Sequence, residues 1–571
     1  MSFAANPNKP KRSQEENEAA EAARQQKLDR ERIRRLIITL GDEQKKVLGQ
    51  IRGLAGALED DVELHGELMA DTVLECAKHL PLKTVIFSAL VARMAAKHPD
   101  WVGNLVLRFL EDIRIAVRTG RVMTAQLLLR FVVGMGNCGC LGLDPLVTLL
   151  QEVLALSDGL RPAKGGDLGV FLALASLPFL SPAAYGKVSQ SVDAILAKAD
   201  AYLASRGGKW KPLLLLLKTD ESVDRLEALA ASLRSMKEAG WSSQSILNVP
   251  GFEVSLEGSL SDLQLAPLGI SAEEIRKSKV RMQVPTVTSR LVTRSFEKDG
   301  SDDQMSEHDR WILEDYILLT MENFGRDVEE CSKQVLRIPV LHPHFEAIAV
   351  ETIFSQMLRL PSPALLPLFY TRLLESIMDK QETTKTCVEQ AYRSLFEQAS
   401  EIDEECLEVV AEAFAYHLMQ SGYKHDWTHL TRDTVSVQAQ RFVRRALERL
   451  LRLSFHQNLL HRLPEALHVY VPPEPLAASG LPAQSKPEFA KMVGLVKIKD
   501  PSEQSVLKYC RKLQKIEAKD EEDGEKEEEP LETNAGLVKA KQEAGAASAA
   551  GAAGGVGDDA ARAKRRKLDE E

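Results

Sequence analysis

Val62-Glu-Leu-His-Gly-Glu-Leu-Met-Ala-Asp-Thr-Val-Leu-Glu-Cys-Ala-Lys-His-Leu80, followed at once by Pro81, sets the class of the whole chain. Its apolar residues fall at Leu64, Leu68, Thr72/Val73, Cys76/Ala77 and Leu80, a spacing that recurs on one face of a helix and not on a strand. Pro81 opens the next helix, where its missing N–H costs nothing. Working outward, the same period runs from Glu43 to about Ala239. Helices are expected at Trp101–Val117, Val122–Met135 and Leu146–Leu156, the last with Asp144 as N-cap and Pro145 after it. Comparable helices start near Val62, Trp101 and Asp144, a recurrence of roughly 40 residues, the length class of HEAT-type helix pairs. Short breaks between helices predict antiparallel hairpins.

The period fades between Trp241 and Gln304, a stretch rich in Ser, Gly and Pro with one capping-box signal at Ser271-Ala-Glu-Glu274. It returns at Ser306. Helices are expected at Glu307–Asn323, Asp327–Leu336, His344–Arg359, Ala364–Met378, Thr384–Ala399, Asp403–Gln420 and Val437–Leu463. The expected organisation is a basic and polar disordered arm at 1–17, a first helical domain at 18–240 and a connector at 241–305. A second helical domain follows at 306–463, then a Pro-rich linker at 464–500, a short helix at 501–518 and an acidic low-complexity tail at 519–571. The fold class is all-α, an α-solenoid of HEAT-like antiparallel pairs in two helical domains with disordered termini.

Composition bounds the function. The chain has 571 residues, 44% of them apolar, and a net charge of −10. Residues 519–571 hold 15 Asp/Glu against 9 Lys/Arg, so most of the acidity sits in the tail. Non-specific coating of nucleic acid needs a net basic face, which this balance disfavours. Seven scattered cysteines, an odd number without a CxxC pair, read as reduced thiols of the cytosol or nucleus. The N-terminus has no apolar signal region, and the longest uncharged apolar run, Leu168–Leu180, is interrupted by Pro178, which predicts neither secretion nor a membrane span. Phosphate-loop, dinucleotide, zinc-protease and nucleophile-elbow signatures are all missing, so no enzyme and no cofactor is expected.

Four constellations remain. His417, His425 and His429 are a metal candidate, but no cysteine lies near them and tetrahedral zinc sites use four closely spaced ligands, so core or surface histidines are the favoured reading. Cys138 and Cys140 read as buried thiols, because cysteines one residue apart seldom meet disulfide geometry. The helix Arg441–Leu453 places Arg441, Arg444, Arg445, Arg449 and Arg452 on one side and Phe442, Val443, Ala446, Leu447, Leu450 and Leu451 broadly on the other. Guanidinium forks suit an acidic partner or RNA phosphates, but a solvated helix face balanced in part by Glu448 is the favoured reading. Lys564, Arg565, Arg566 and Lys567 form a compact basic cluster in the tail and read as a nuclear import signal.

Several runs resemble the large subunit of the nuclear cap-binding complex. They are Gly53-Leu-Ala-Gly56 with Leu58-Glu-Asp-Asp61, Leu129-Arg-Phe131 with Asn137-Cys138, and Ser176-Leu-Pro178. The second block adds Arg359-Leu-Pro-Ser-Pro363, Phe442-Val-Arg444 and Arg452-Leu-Ser-Phe-His-Gln457. They occur in order across roughly residues 45–465. The resemblance implies the helical middle-domain fold of translation-initiation scaffolds. It also implies a scaffold role beside a small RNA-recognition subunit, which holds the methylated cap between aromatic rings. Capped RNA would thus be bound indirectly, in the nucleus with shuttling to the cytoplasm. Factors for mRNA splicing, export and nonsense-mediated decay would be recruited, and an import receptor would be a further partner. Set against that family's pattern, a third helical domain is not expected in this sequence. The alternative is a HEAT-type adapter of nuclear transport or translation initiation that shares only the fold.

Overall fold

A computed structural model of the chain describes residues 14–43, 46–160, 165–206, 224–245, 265–277, 305–338, 340, 342–360, 362–429, 436–474, 504 and 507–512. Two units are distinguished, residues 1–473 and 474–571. All regular elements of the described residues are helical. In order they are α1 (Gln14–Thr39), α2 (Val47–Leu58), α3 (Val62–His79), α4 (Thr84–Ala95), α5 (Pro99–Arg118), α6 (Val122–Asn137), α7 (Leu143–Ala155), α8 (Gly166–Ser176), α9 (Pro182–Arg206) and α10 (Arg225–Glu238). The short α11 (Ala272–Lys277) follows. The second block holds α12 (Glu307–Phe324), α13 (Val328–Leu336), α14 (Phe345–Met357), α15 (Pro367–Lys380), α16 (Thr383–Glu397), α17 (Glu404–Gln420), α18 (Val437–Leu453) and α19 (His456–Arg462). In the second unit, residues 504 and 507–512 are helical.

Local chemistry accounts for many of the boundaries. Side chains of Asp224, Ser306, Asp327, Asp403 and Ser436 accept hydrogen bonds from first-turn N–H groups of α10, α12, α13, α17 and α18, which supplies partners for donors that no helix can satisfy internally. Half of the expected capping box forms as well, with the Glu274 N–H donating to Ser271 Oγ over 3.2 Å.

Four expectations are corrected. The Asp144 cap is displaced: Gly142 caps α7, and Asp144 and Pro145 lie inside its first turn, where the proline still costs no hydrogen bond. The face of α3 differs at its start: Leu64 is 73% exposed and His65 buried instead, while Leu68, Thr72, Val73, Cys76 and Ala77 are buried as expected. The single helix expected over Val437–Leu463 is two, broken at Ser454, whose φ of −144° and ψ of −179° are fully extended. Finally, α1 begins at Gln14, inside the stretch expected to be an unstructured arm.

The helices stack in two layers. The even-numbered ones form an uninterrupted row in which α2 packs on α4, α4 on α6, α6 on α8, α8 on α10, α10 on α12, α12 on α14 and α14 on α16. Odd-numbered helices cover this row, with α1 against α3, α7 against α9, and α13, α15 and α17 in succession. Gly134 lets α4 and α6 approach closely: a Cβ there would stand 2.5 Å from Ser88 Oγ, and that hydroxyl donates to the Phe131 carbonyl over 3.0 Å.

The stretch read as a connector therefore interrupts the sequence but not the stack. Its described part is a flap laid on the odd-numbered layer. Arg114 of α5 donates to the carbonyls of Pro267 and Leu268, both over 2.7 Å, and the Leu268 N–H donates to Glu152 of α7. Meanwhile α10 meets α12 directly, through charges. Arg225 of α10 pairs with Glu314 of α12. Arg130 of α6 pairs with Asp315 of α12, which also accepts from Gln126. Arg310 reaches Glu314 at 2.9 Å and Glu351 of α14 at 2.7 Å. Two of the guanidinium groups also lie over rings, Arg130 over Phe179 at 4.0 Å and Arg225 over Trp311 at 4.6 Å. Burial opposes the charge on Arg310, but the carboxylates of Glu314 and Glu351 outweigh it and raise its pKa.

Candidate partner-binding surface

The basic ridge of α18 rests on one of the most sharply divided helices of the molecule. Phe442, Val443, Ala446, Leu447 and Leu450 are buried. They pack on α17 and place Phe442 within 6.0 Å of Phe396 and 5.7 Å of Phe414, ring centre to ring centre. Docking this apolar stripe on α17 brings the acidic side of α17 beside the arginines. Arg441 is taken up by Glu404, and Arg445 by Glu408 at 3.0 Å and Glu448 at 3.3 Å. The five arginines are thus not equivalent. Arg444 and Arg452 are exposed and Arg449 is half-buried, and none of the three has an ion-pair partner among the described residues.

Beyond Arg452 the break at Ser454 turns apolar side chains outward. Leu453 is 48% exposed, Phe455 77% and Val469 76%. Exposed cations and exposed apolar side chains thus follow one another along residues 444–455. The period of α18 carries no sign of this, because the exposure of Phe455 depends on the break. The run Arg452–Gln457, the most specific of the family-like segments, was the signal available in sequence.

The histidine candidates are only partly brought together. His417 is buried in α17, with Nδ1 2.7 Å from Glu375 Oε1 and its ring stacked on Tyr392. His425 lies edge-on to Phe414 and Trp427. The two imidazoles are 6.4 Å apart, and the side chain of His429 lies outside the described residues. No group of three His, Cys, Asp or Glu side chains able to hold a metal occurs among the described residues. Cys138 and Cys140 are buried free thiols, pushed up to about 12 by burial. Lys564, Arg565, Arg566 and Lys567 lie outside the described residues. No described helix is long and apolar enough to cross a membrane.

The family-like segments act as structural joints. Arg130, at the centre of Leu129-Arg-Phe131, is the partner of Asp315. Asn137 donates through Nδ2 to the Phe179 carbonyl over 2.7 Å and accepts from the Ser181 N–H over 2.9 Å, clasping the turn that follows Ser176-Leu-Pro178.

Comparison with known proteins agrees with this arrangement. The MIF4G like family model matches residues 306–465, from the cap of α12 to just past α19. Nuclear cap-binding protein subunit 1 of Xenopus tropicalis is 23% identical over 460 residues, covering 78% of this chain and 57% of that protein. The Gallus gallus protein of the same name is 22% identical over 461 residues, with the same coverage. The chain thus spans a little over half the length of the curated relatives it matches. Family-like segments, helical stack and alignment coincide: the chain is similar to nuclear cap-binding protein subunit 1 over 78% of its length, and its residues 306–465 match the MIF4G like model.

Proposed function

We propose that this chain is a non-enzymatic scaffold subunit of a nuclear RNA cap-binding complex. It would hold a small subunit of RNA-recognition fold in its cap-gripping state and offer a platform for splicing, export and nonsense-mediated decay factors. The observation that supports this reading is the co-linear similarity across 78% of the chain. The unpaired arginines Arg444, Arg449 and Arg452, with Leu453 and Phe455 beside them, are the proposed partner contact. Residence is proposed to be nuclear, with shuttling to the cytoplasm. Import would depend on a receptor reading Lys564–Lys567.

Affinity capture of the tagged full chain from nuclear extract, followed by mass spectrometry, tests the proposal. The expected result is a small RNA-recognition protein in stoichiometric amount, with retention on cap-analogue resin only when that protein is present. Capture without any such protein would refute it.

A further inference from the structure

The N-terminal half of α1 has no role in the stack. From residue 20 to residue 32 it buries no side chain, and the first buried residue is Ile33. That is on the order of 20 Å of helix standing clear of the body. A helix that is polar all round survives through good intrinsic propensity and i,i+4 pairs, or serves a partner. Propensity is met here by Ala, Gln, Glu, Lys and Arg, and two local pairs form, Gln25 to Asp29 at 3.3 Å and Lys27 to Glu31 at 4.0 Å.

Its charge is the anomaly. In a chain of net charge −10, residues 20–35 contain Arg24, Lys27, Arg30, Arg32, Arg34 and Arg35 against Glu21, Asp29 and Glu31. At 100° per residue, Arg24, Lys27, Arg30, Arg34 and Arg35 share an arc of about 140° and span on the order of 16 Å. All five are exposed. Arg32 lies off this arc and pairs with Asp61 at 3.0 Å. Arg24, Arg30, Arg34 and Arg35 have no ion-pair partner among the described residues. Successive members of the row Arg24, Lys27, Arg30, Arg34 are three or four residues apart, where like charges repel and destabilise the helix. Glu31 falls on the same arc and offsets part of this repulsion, pairing with Lys27 at 4.0 Å, but the five cations outnumber it.

We infer that this projecting helix is a sequence-independent RNA-backbone contact. It goes beyond the scaffold reading and is independent of it, since it needs neither a cap nor a small subunit. A phosphodiester chain fits the stripe better than an acidic protein does. Four of the five cations are arginine, whose guanidinium forks match phosphate oxygens. The stripe holds no aromatic anchor of the kind on which protein interfaces concentrate their binding energy, and its large exposed apolar neighbours are the aliphatic Leu28 and Ile38 alone.

The test is fluorescence anisotropy of the full chain with a labelled, uncapped 20-nucleotide uridine RNA, titrated with potassium chloride. Five phosphate contacts to a single strand predict a log–log salt slope near −3.5, or a loss of roughly 100-fold in affinity between 50 and 200 mM salt. A variant with Arg24, Lys27, Arg30, Arg34 and Arg35 all changed to Gln should bind at least tenfold more weakly at 50 mM, with its slope reduced by about 3. A second variant with the four arginines changed to Lys should keep the slope, which guards against loss of the helix as the cause. Unchanged affinity and slope in the Gln variant would overturn the inference, as would loss of the slope in the Lys variant. Equally tight binding of labelled polyglutamate would assign the stripe to acidic proteins and overturn it too.

Discussion

Asp309 shows how a single carboxylate ties the segment that follows α10 to the second block. Its Oδ1 accepts from Ser243 Oγ at 2.5 Å and from the N–H groups of Gln244 and Ser245 at 2.8 and 2.9 Å, and its Oδ2 accepts from Ser306 Oγ at 2.7 Å. Burial pushes the carboxyl up, but the hydrogen bonds from Ser243, Ser306 and Ser245, with the His308 charge, outweigh it and hold its pKa below the usual value. A depressed folded-state pKa means that the stabilisation is complete above the unfolded-state pKa of about 4 and is lost as pH falls through the folded value. Asp309→Asn should therefore destabilise at pH 7 and much less at pH 3; thermal melts of both proteins at the two pH values check this. Asp315 sits at the other extreme, nearly sealed from water beside Arg130. Asp315→Asn keeps the shape but strands a buried guanidinium, and should cost roughly 3–5 kcal/mol in chemical denaturation. A loss below 1 kcal/mol would mean that water reaches the pair.

At the scale of the element, α18 separates a packing face from the proposed binding face. Changing Arg444, Arg449 and Arg452 together to Glu should leave the protein folded, at a cost of no more than about 1.5 kcal/mol, since surface charges typically alter stability by about 0.5 kcal/mol each. The same variant should reduce capture of the partner at least tenfold at low salt. Reversing Arg445 is the poorer probe, because Glu408 and Glu448 already engage it. Leu447→Ala gives the converse, a loss of roughly 2–5 kcal/mol from a fully packed site, with partner capture retained by whatever fraction stays folded. If the triple Glu variant captures its partner as well as the parent does, the surface is merely solvated. The amphipathic division of α18 was legible in sequence, as was its start at Val437; the cap by Ser436 came with the structure. The pairing of Arg441 and Arg445 was not, because Glu404 and Glu408 lie on another helix whose distance in space the period of α18 does not encode.

For the whole molecule, the uninterrupted even-numbered row makes a specific claim about the gap between α10 and α12. A protease site inserted within residues 246–264 and cleaved in the folded protein should yield two fragments that co-elute and melt together. The contacts Arg225–Glu314, Arg130–Asp315 and Ser232 to the Glu307 carbonyl hold the halves without the covalent link. Separation of the fragments on gel filtration would count against a single stack. Periodicity predicted the helices on either side of this gap but could not predict that they meet.

The sequence by itself determined the elements and the class. Helical period, N-cap side chains and prolines act within a few residues of their own positions, so they could be read without the fold, and the ordered family-like segments pointed to the relatives that comparison found. Only the tertiary structure decided where the charges end. Arg130 and Asp315 lie 185 residues apart, and Ser243 and Asp309 are brought together from the two sides of a Ser-, Gly- and Pro-rich stretch. A buried ion pair leaves no periodic trace, because each partner reads as an ordinary polar residue until the chain places it beside the other, away from water. The free arginines of α18, the exposed Phe455 and the solitary basic helix α1 are defined the same way, by which neighbours the packed stack gives them and which it withholds.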